Sequence, residues 1–283
     1  MKKWNLLIDV ERCNGCFNCF LACKDEHVGN DFPGYAAAQP LHGHRWIDIR
    51  TFERGQTPMI DFTYLPTLCN HCDEAPCVRA GQGAVRKRED GIVLVDPDKA
   101  KGRRDLVDSC PYGALWWNEE KSVPQGWTFD AHLLDRGWKE PRCVQACGLG
   151  AMRAVQLEDA EMQRLAQAEE LQVLHPEYGT RPRVHYRNLY HIDRCFVGGT
   201  VIAQVGTVKE CVRGASVVLR RGAERVAEAR SNAFGEFRID RLGPRSGGYT
   251  LEIAAPGHEP HACSVQLGES VYLGTIQLKA LPR

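Results

Sequence analysis

Four cysteines spaced Cys13-x2-Cys16-x2-Cys19-x3-Cys23 constrain this chain more than any other feature. The spacing is that of a run that binds cubane iron–sulfur clusters, with Lys24 where proline usually follows. Three cysteines at steps of three sit on one tight loop and reach three corners of a single cube. The fourth starts the next helix, points away, and serves a different cluster. A second group, Cys69-x2-Cys72-x4-Cys77, follows, then a lone Cys110 in CPYGA and a pair, Cys143-x3-Cys147. CPYGA and CVQACGLGAM both read as the ends of cluster-binding runs. The alternative is a structural zinc scaffold, but zinc takes four thiolates or imidazoles around one ion. Colour separates the two, since clusters are brown and zinc is colourless.

Composition narrows the setting. The chain has 283 residues, long enough for two domains. Ten of its 13 cysteines lie before residue 150, and short C-x-x-C groups favour metal ligation in a reducing compartment over disulfides. The other three, Cys195, Cys211 and Cys263, lack ligand spacing and read as ordinary thiols. With 36 basic and 36 acidic residues, nothing favours a nucleic acid or an anionic membrane as partner. No apolar run is long enough for a membrane span. The start, MKKWNLLIDVERC, lacks the features of a secretory signal, so cytoplasmic residence is expected.

Two kinds of sequence grammar divide the chain. Residues 1–155 are rich in cysteine and loops, with β-prone segments at Asn5–Val10, Ile60–Leu65, Gly91–Val95 and Leu115–Trp117. Residues 156–198 hold a helix expected over Glu158–Val173, with Leu165, Ala168 and Leu171 as its apolar stripe, and then HPEYGTRPR as a linker. Residues 199–283 show short alternating strands (SVVLRR, GEFRID, GYTLEIA, VYLGTIQL) with turn signals between them, the pattern of a β-sandwich. Tyr249, Leu251 and Ile253 face one way, and Thr250, Glu252 and Ala254 the other. This half carries no catalytic constellation, His258 and His261 read as surface-loop residues, and an assembly role is expected. His42–Trp46 (HGHRW) has no third ligand and reads as a subunit-contact loop.

TLCNHCDEAPCV, DGIVLVDPDKAKG, SCPYGALWWNEE and AHLLDRGWKEPRCVQAC together resemble the four-cluster electron-transfer subunits of molybdopterin oxidoreductases of the dimethyl-sulfoxide-reductase family. In those subunits the first cysteine run pairs with the fourth and the second with the third. The resemblance implies one [4Fe–4S] cluster on Cys13, Cys16, Cys19 and Cys147, and another on Cys69, Cys72, Cys77 and Cys110. The ligands of a further cluster would stand at Gly81, Ala100, Arg103 and Leu106, none of which can ligate iron as a thiolate, so that cluster is expected to be absent. The last site keeps Cys23 and Cys143, but its C-x-x-C has become Trp127-Thr-Phe-Asp130. Cys23, Cys143 and Asp130 would suit a [3Fe–4S] cluster, or the site is empty with Trp127 filling its volume.

The whole chain is similar to the small subunits of the pyrogallol–phloroglucinol transhydroxylase and anaerobic resorcinol hydroxylase group. PGYAAAQPLHGHRW, VHYRNLY and NAFGEFRIDRL carry that likeness. It implies an α+β chain: a double ferredoxin-like iron–sulfur domain, then a transthyretin-like (carboxypeptidase-regulatory-like) all-β sandwich. It also implies a non-catalytic electron-transfer subunit for a large molybdopterin-binding partner that acts on phenolic rings, in a heterodimer or larger complex. No nucleophile–base pair, phosphate loop or zinc-protease helix contradicts this. The competing reading is the iron–sulfur subunit of a respiratory molybdopterin reductase.

Overall fold

The computed structural model describes residues 1–282 and separates into two compact units. The first comprises Met1–Thr51 and Thr63–Leu189, the second Phe52–Phe62 and the chain from Tyr190 onward. The second unit thus begins ahead of Gly199 and takes in a hairpin turn from the cysteine-rich half.

The first unit is organised around strand β1 (Lys3–Asp9), whose Leu6 and Ile8 are fully buried. Helix α1 (Asn18–His27) follows, then the hairpin β2 (Ile47–Gln56) and β3 (Met59–Leu68), whose turn belongs to the second unit. Helix α2 (Pro76–Gly81) starts on proline, which fits a first helical turn because no partner for its missing N–H is needed there. A hairpin of β4 (Val85–Lys87) and β5 (Val93–Val95), the single turn α3 (Asp105–Asp108), and a second hairpin of β6 (Trp116–Asn118) and β7 (Val123–Gln125) come next. Two further single turns, α4 (Ala131–Leu134) and α5 (Arg142–Gln145), lead to β8 (Met152–Leu157). Strand β1 pairs antiparallel with β8 on one side and parallel with β9 (Val184–Arg187) on the other.

Two expectations change here. Helix α6 covers Asp159–Ala168 and stops before Leu171, so its inward residue is Met162, while Ala168 is exposed. Its start is as expected, fixed by a reciprocal capping box of Glu158 and Glu161 that satisfies amides of its first turn. The segment expected as a linker is also anchored: Thr180 and Arg183 are buried, and Val184 begins β9. A prolyl turn at Pro176–Tyr178 gave the stretch its loop-like composition.

The second unit opens with the short helix α7 (Tyr190–Asp193) and is otherwise β. Strand β10 (Cys195–Val205) pairs with β11 (Val208–Cys211), β14 (Glu236–Leu242) and β17 (Val271–Leu278). The other sheet runs β13 (Glu224–Arg230), β12 (Ser216–Arg221), β15 (Gly247–Ala254), β16 (His261–Leu267). Alternation along β15 is as expected: Tyr249, Leu251 and Ile253 are buried and Thr250, Glu252 and Ala254 exposed. They join Val217, Leu219, Phe237 and Ile239 in one core, each such side chain contributing roughly 1.5–3 kcal/mol on burial.

Arg54 holds the hairpin turn within this unit. Its guanidinium donates to Asp61 Oδ2 at 2.8 Å and to Asp240 Oδ1 at 2.8 Å, and Arg238 donates to the same Asp61 oxygen at 2.8 Å. Both cations lie over the Phe196 ring, at 5.5 and 4.1 Å. Burial alone would raise the Asp61 carboxyl, but hydrogen bonds from Arg238 and Arg54 outweigh it and bring it down to about 2. A depressed carboxyl stabilises the fold above its unfolded value near 4, and that stability is lost as pH falls toward 2. Asp61→Asn is therefore expected to flatten acid unfolding in this window, followed by circular dichroism. Arg54→Ala should cost about 1–3 kcal/mol at neutral pH, because Asp61 and Asp240 each lose one of two cations and keep only Arg238; no loss in denaturant titration would contradict this role.

Candidate functional site: paired cysteine cavities

Loop geometry after β1 sets the first site. The Cys16 amide donates to Asn14 Oδ1 at 3.2 Å, and Gly15 takes φ +70°, where an added Cβ would lie 2.5 Å from the Tyr64 ring. Phe17, at φ 60°, turns the chain into α1, which carries Cys19 and Cys23. Cys147 arrives just after α5 and accepts a hydrogen bond from the Ala151 amide at 3.2 Å. Cys13, Cys16, Cys19 and Cys147 line one cavity with Pro66 and Met152, about 370 Å³ of empty space including open solvent. Burial pushes the Cys13 thiol up against the lowering effect of the Gly15 amide, with Cys147 and Cys16 adding to the rise. Burial likewise pushes Cys19 up to about 12.

The second site is built from the end of β3, helix α2 and the residue after α3. Cys69, Cys77 and Cys110 line a cavity with Leu115, Val93 and Trp127, about 510 Å³ of empty space including open solvent. Burial raises the Cys69 thiol well above its ordinary value, and Cys77, Cys110 and Cys72 lie close enough to push it the same way. Cys77 is carried to about 12 by burial, then by Cys110 and Cys72. His71 lies beneath: its Nδ1 accepts from the Val93 amide at 3.0 Å, and burial takes its pKa down to about 3, so it is neutral.

A donor set of this kind fits a cation-rich cluster. The buried thiols are neutral as they stand, and multiple positive centres would draw off their protons and cancel the repulsion between sulfurs. A single zinc ion fits poorly: among the described residues no three His, Cys, Asp or Glu side chains stand close enough to share one ion. A cube spreads its four cysteines over four irons and needs no such closeness.

Gly81, Ala100 and Leu106 lie in the protein interior, and Arg103 lies at its edge. Ala100 and Leu106 are fully buried in a core with Cys72, Ala84, Val85 and Val93. A Cβ at Gly81 would lie 2.8 Å from Val85 Cβ. Arg103 turns outward to Asp105 at 2.7 Å and donates to the Ala80 carbonyl at 3.1 Å.

Cys23, Cys143 and Asp130 also meet, in a buried pocket of side chains. Burial raises both thiols well above the ordinary value, and the Asp130 carboxylate adds to this. Asp130 accepts from the Arg142 amide at 2.8 Å and lies 3.3 Å from His27 Nε2. His27 was not legible as a site residue; its only signal was its position four residues after Cys23 on α1. Trp127 is fully buried, its ring 4.7 Å from Phe129 and 5.3 Å from His71. The HGHRW segment is not simply a contact loop. His44 donates from Nε2 to the Trp117 carbonyl at 2.9 Å, and the buried Trp46 ring lies 4.8 Å from His27. His42 is exposed.

Residues 60–157 match a family described as a 4Fe-4S dicluster domain. Over 98% of its length the chain is 46% identical to the pyrogallol hydroxytransferase small subunit of Pelobacter acidigallici, covering 100% of that protein. It is 30% identical to the arsenate respiratory reductase iron–sulfur subunit of Shewanella sp. (strain ANA-3), over 69% of this chain and 100% of that one. It is 32% identical to the thiosulfate reductase electron transfer subunit of Salmonella typhi, over 57% of this chain and 80% of that one.

Restoring one thiol to the filled site tests its packing. Gly81→Cys is expected to lose about 1–3 kcal/mol in denaturant titration, because its Cβ meets Val85, and to bind no additional iron. A gain of iron would contradict this reading.

Proposed function

Because the chain belongs to the family of pyrogallol hydroxytransferase small subunits, we propose that this iron–sulfur electron-transfer subunit serves a large molybdopterin-binding partner acting on phenolic rings. The observation that carries the electron-transfer role is the convergence of two sets of thiols: Cys13, Cys16, Cys19 and Cys147 at one cavity, and Cys69, Cys77 and Cys110 at another, with Cys72 beside them. Cys13, Cys16, Cys19 and Cys147 hold one [4Fe–4S] cluster, and Cys69, Cys72, Cys77 and Cys110 the other. Such clusters pass single electrons when bound. The protein's part is to hold the sulfurs, limit water, and donate amide hydrogen bonds such as that from Ala151 to Cys147. Short C-x-x-C groups need reduced thiols, which supports cytoplasmic residence. Among the described residues no helix is long and apolar enough to cross a membrane.

The third site is not a full cube. Trp127 stands where a fourth ligand is needed, and both Asp130 oxygens already have hydrogen-bonding neighbours. A three-iron cluster on Cys23, Cys143 and Asp130, or none, is what these residues accommodate. The two packed sheets of the second unit support a transthyretin-like sandwich, which we assign to subunit assembly. A respiratory role is less well supported, since the arsenate and thiosulfate reductase subunits match 69% and 57% of the chain and the hydroxytransferase subunit 98%.

Anaerobically purified complex is expected to contain about eight irons and as much acid-labile sulfide from the two complete sites. Low-temperature electron paramagnetic resonance of the oxidised complex should show a three-iron signal or nothing from the third site; a four-iron cube there would overturn the assignment. Pyrogallol, resorcinol or a dihydroxybenzoate should gain a ring hydroxyl when added to the complex. Coupled ferricyanide reduction would indicate net hydroxylation, and product without it transhydroxylation. Turnover of an oxyanion or sulfoxide with no phenol consumed would place the complex among the respiratory reductases.

A further inference from the structure

Two buried rings of the first unit hold no sulfur: His27 at the end of α1 and Trp46 in the HGHRW segment. Cys19, Cys23 and His27 are the buried residues of α1 and follow one another at i, i+4 spacing, so they share one face with about 5–6 Å between successive Cβ atoms. Cys19 lines the first cavity. Two turns further on, the His27 ring is wholly buried and lies 4.8 Å from the Trp46 ring. Trp46, 1% exposed, lines the second cavity together with Cys69, Cys77 and Cys110. One buried file of side chains therefore joins the two cavities. Its imidazole is fixed: His27 Nε2 donates to Asp130 Oδ1 at 3.3 Å, and the Phe32 and His132 rings meet it edge-on, each at 5.4 Å. Trp46 Nε1 is buried with no hydrogen-bonding partner among the described residues. Phenylalanine would supply an apolar ring without that cost, so packing alone does not account for an indole here.

We propose that His27 and Trp46 form the bridge by which an electron tunnels between the two clusters, along the flank of the third site. This rests on the assignment of the two complete clusters to these cavities. Tunnelling falls off steeply with distance, and faster across a void than across touching atoms. Close-packed rings leave no void on this route. The third site has lost the ligands of a full cube, and its Cys23 and Asp130 adjoin the same face of α1, so the rings stand where a further cluster would otherwise relay the electron. Neither ring is oxidised or reduced. One electron leaves one cluster and arrives at the other, and no bond forms or breaks. Trp127 also lines the second cavity, but its ring packs on Phe129 and His71 and not on α1.

The test uses the complete complex, purified anaerobically and given less than one electron per molecule by a flash-reduced flavin. Freeze-quenching at successive times, read by electron paramagnetic resonance, follows the redistribution of that electron between the two cluster signals. Trp46→Leu should slow the redistribution several-fold, with iron content and both midpoint potentials unchanged. Trp46→Phe, which keeps a ring, should slow it less. His27→Gln keeps a donor for Asp130 but removes the ring, so it should slow the redistribution too, and it decides the matter if Trp46→Leu does not fold. A native rate in Trp46→Leu or in His27→Gln overturns the proposal. Slowing found only where a midpoint moves or iron is lost also overturns it, since the residues would then act on the clusters and not between them. A three-iron signal with native rates in the variants would give the route to the third site instead. The cluster assignment is read separately, from the unmutated complex: fewer than two four-iron signals there would refute that assignment before any variant is made.

Discussion

Sulfur atoms that repel one another once ionised are the constraint on which the first unit depends. Seven free thiols line two cavities, with Cys72 close to the second group, and burial holds Cys19 and Cys77 near 12. Without a cation such buried thiols are neutral, and the loops bearing them gain nothing from closeness. The surrounding elements cannot supply that gain, because α3, α4 and α5 are single turns, far below the length at which a helix is stable alone. Cluster binding and folding of these loops are therefore one equilibrium: whatever removes iron also removes the reason for the loops to converge.

What the sequence discloses and what it hides follow the range of the interactions. Cysteine spacing is local, so the loops at Cys13–Cys23 and Cys69–Cys77 were legible, and so was the alternation of Tyr249, Leu251 and Ile253. The burial of Thr180 and Arg183 was not, because proline and glycine mark a turn whether it lies in solvent or against the interior. Nor was the Arg54–Asp61–Asp240 network, since nothing near Arg54 announces a partner so far along the chain. The end of α6 was misjudged for a related reason: Leu171 continues the apolar spacing, but the chain leaves the helix after Ala168.

The two altered cluster positions have been resolved by opposite chemistry. At Gly81, Ala100 and Leu106 the space is apolar and close-packed, and the one charged residue, Arg103, points out to Asp105. Around Cys23 and Cys143 the interior stays polar. His27 Nδ1 and Trp127 Nε1 are buried without hydrogen-bonding partners, and Phe129 and Asp130 sit at φ 58° and 50°. Orphaned polar atoms and consecutive left-handed residues each cost free energy. The first place is ordinary core, while the second keeps buried polar groups and strained backbone.

Strand β1 lies between β8 and β9, both contributed from far along the chain. Among the described strands of this unit it stands earliest in the sequence, yet it pairs only with segments far downstream. Until Val184–Arg187 is synthesised its parallel edge is open, and the cysteines that follow it stand on a loop with no settled base. The loop that carries Cys13 and Cys16 leaves the end of β1, so its base is closed only when two segments from beyond residue 150 have both come back to it.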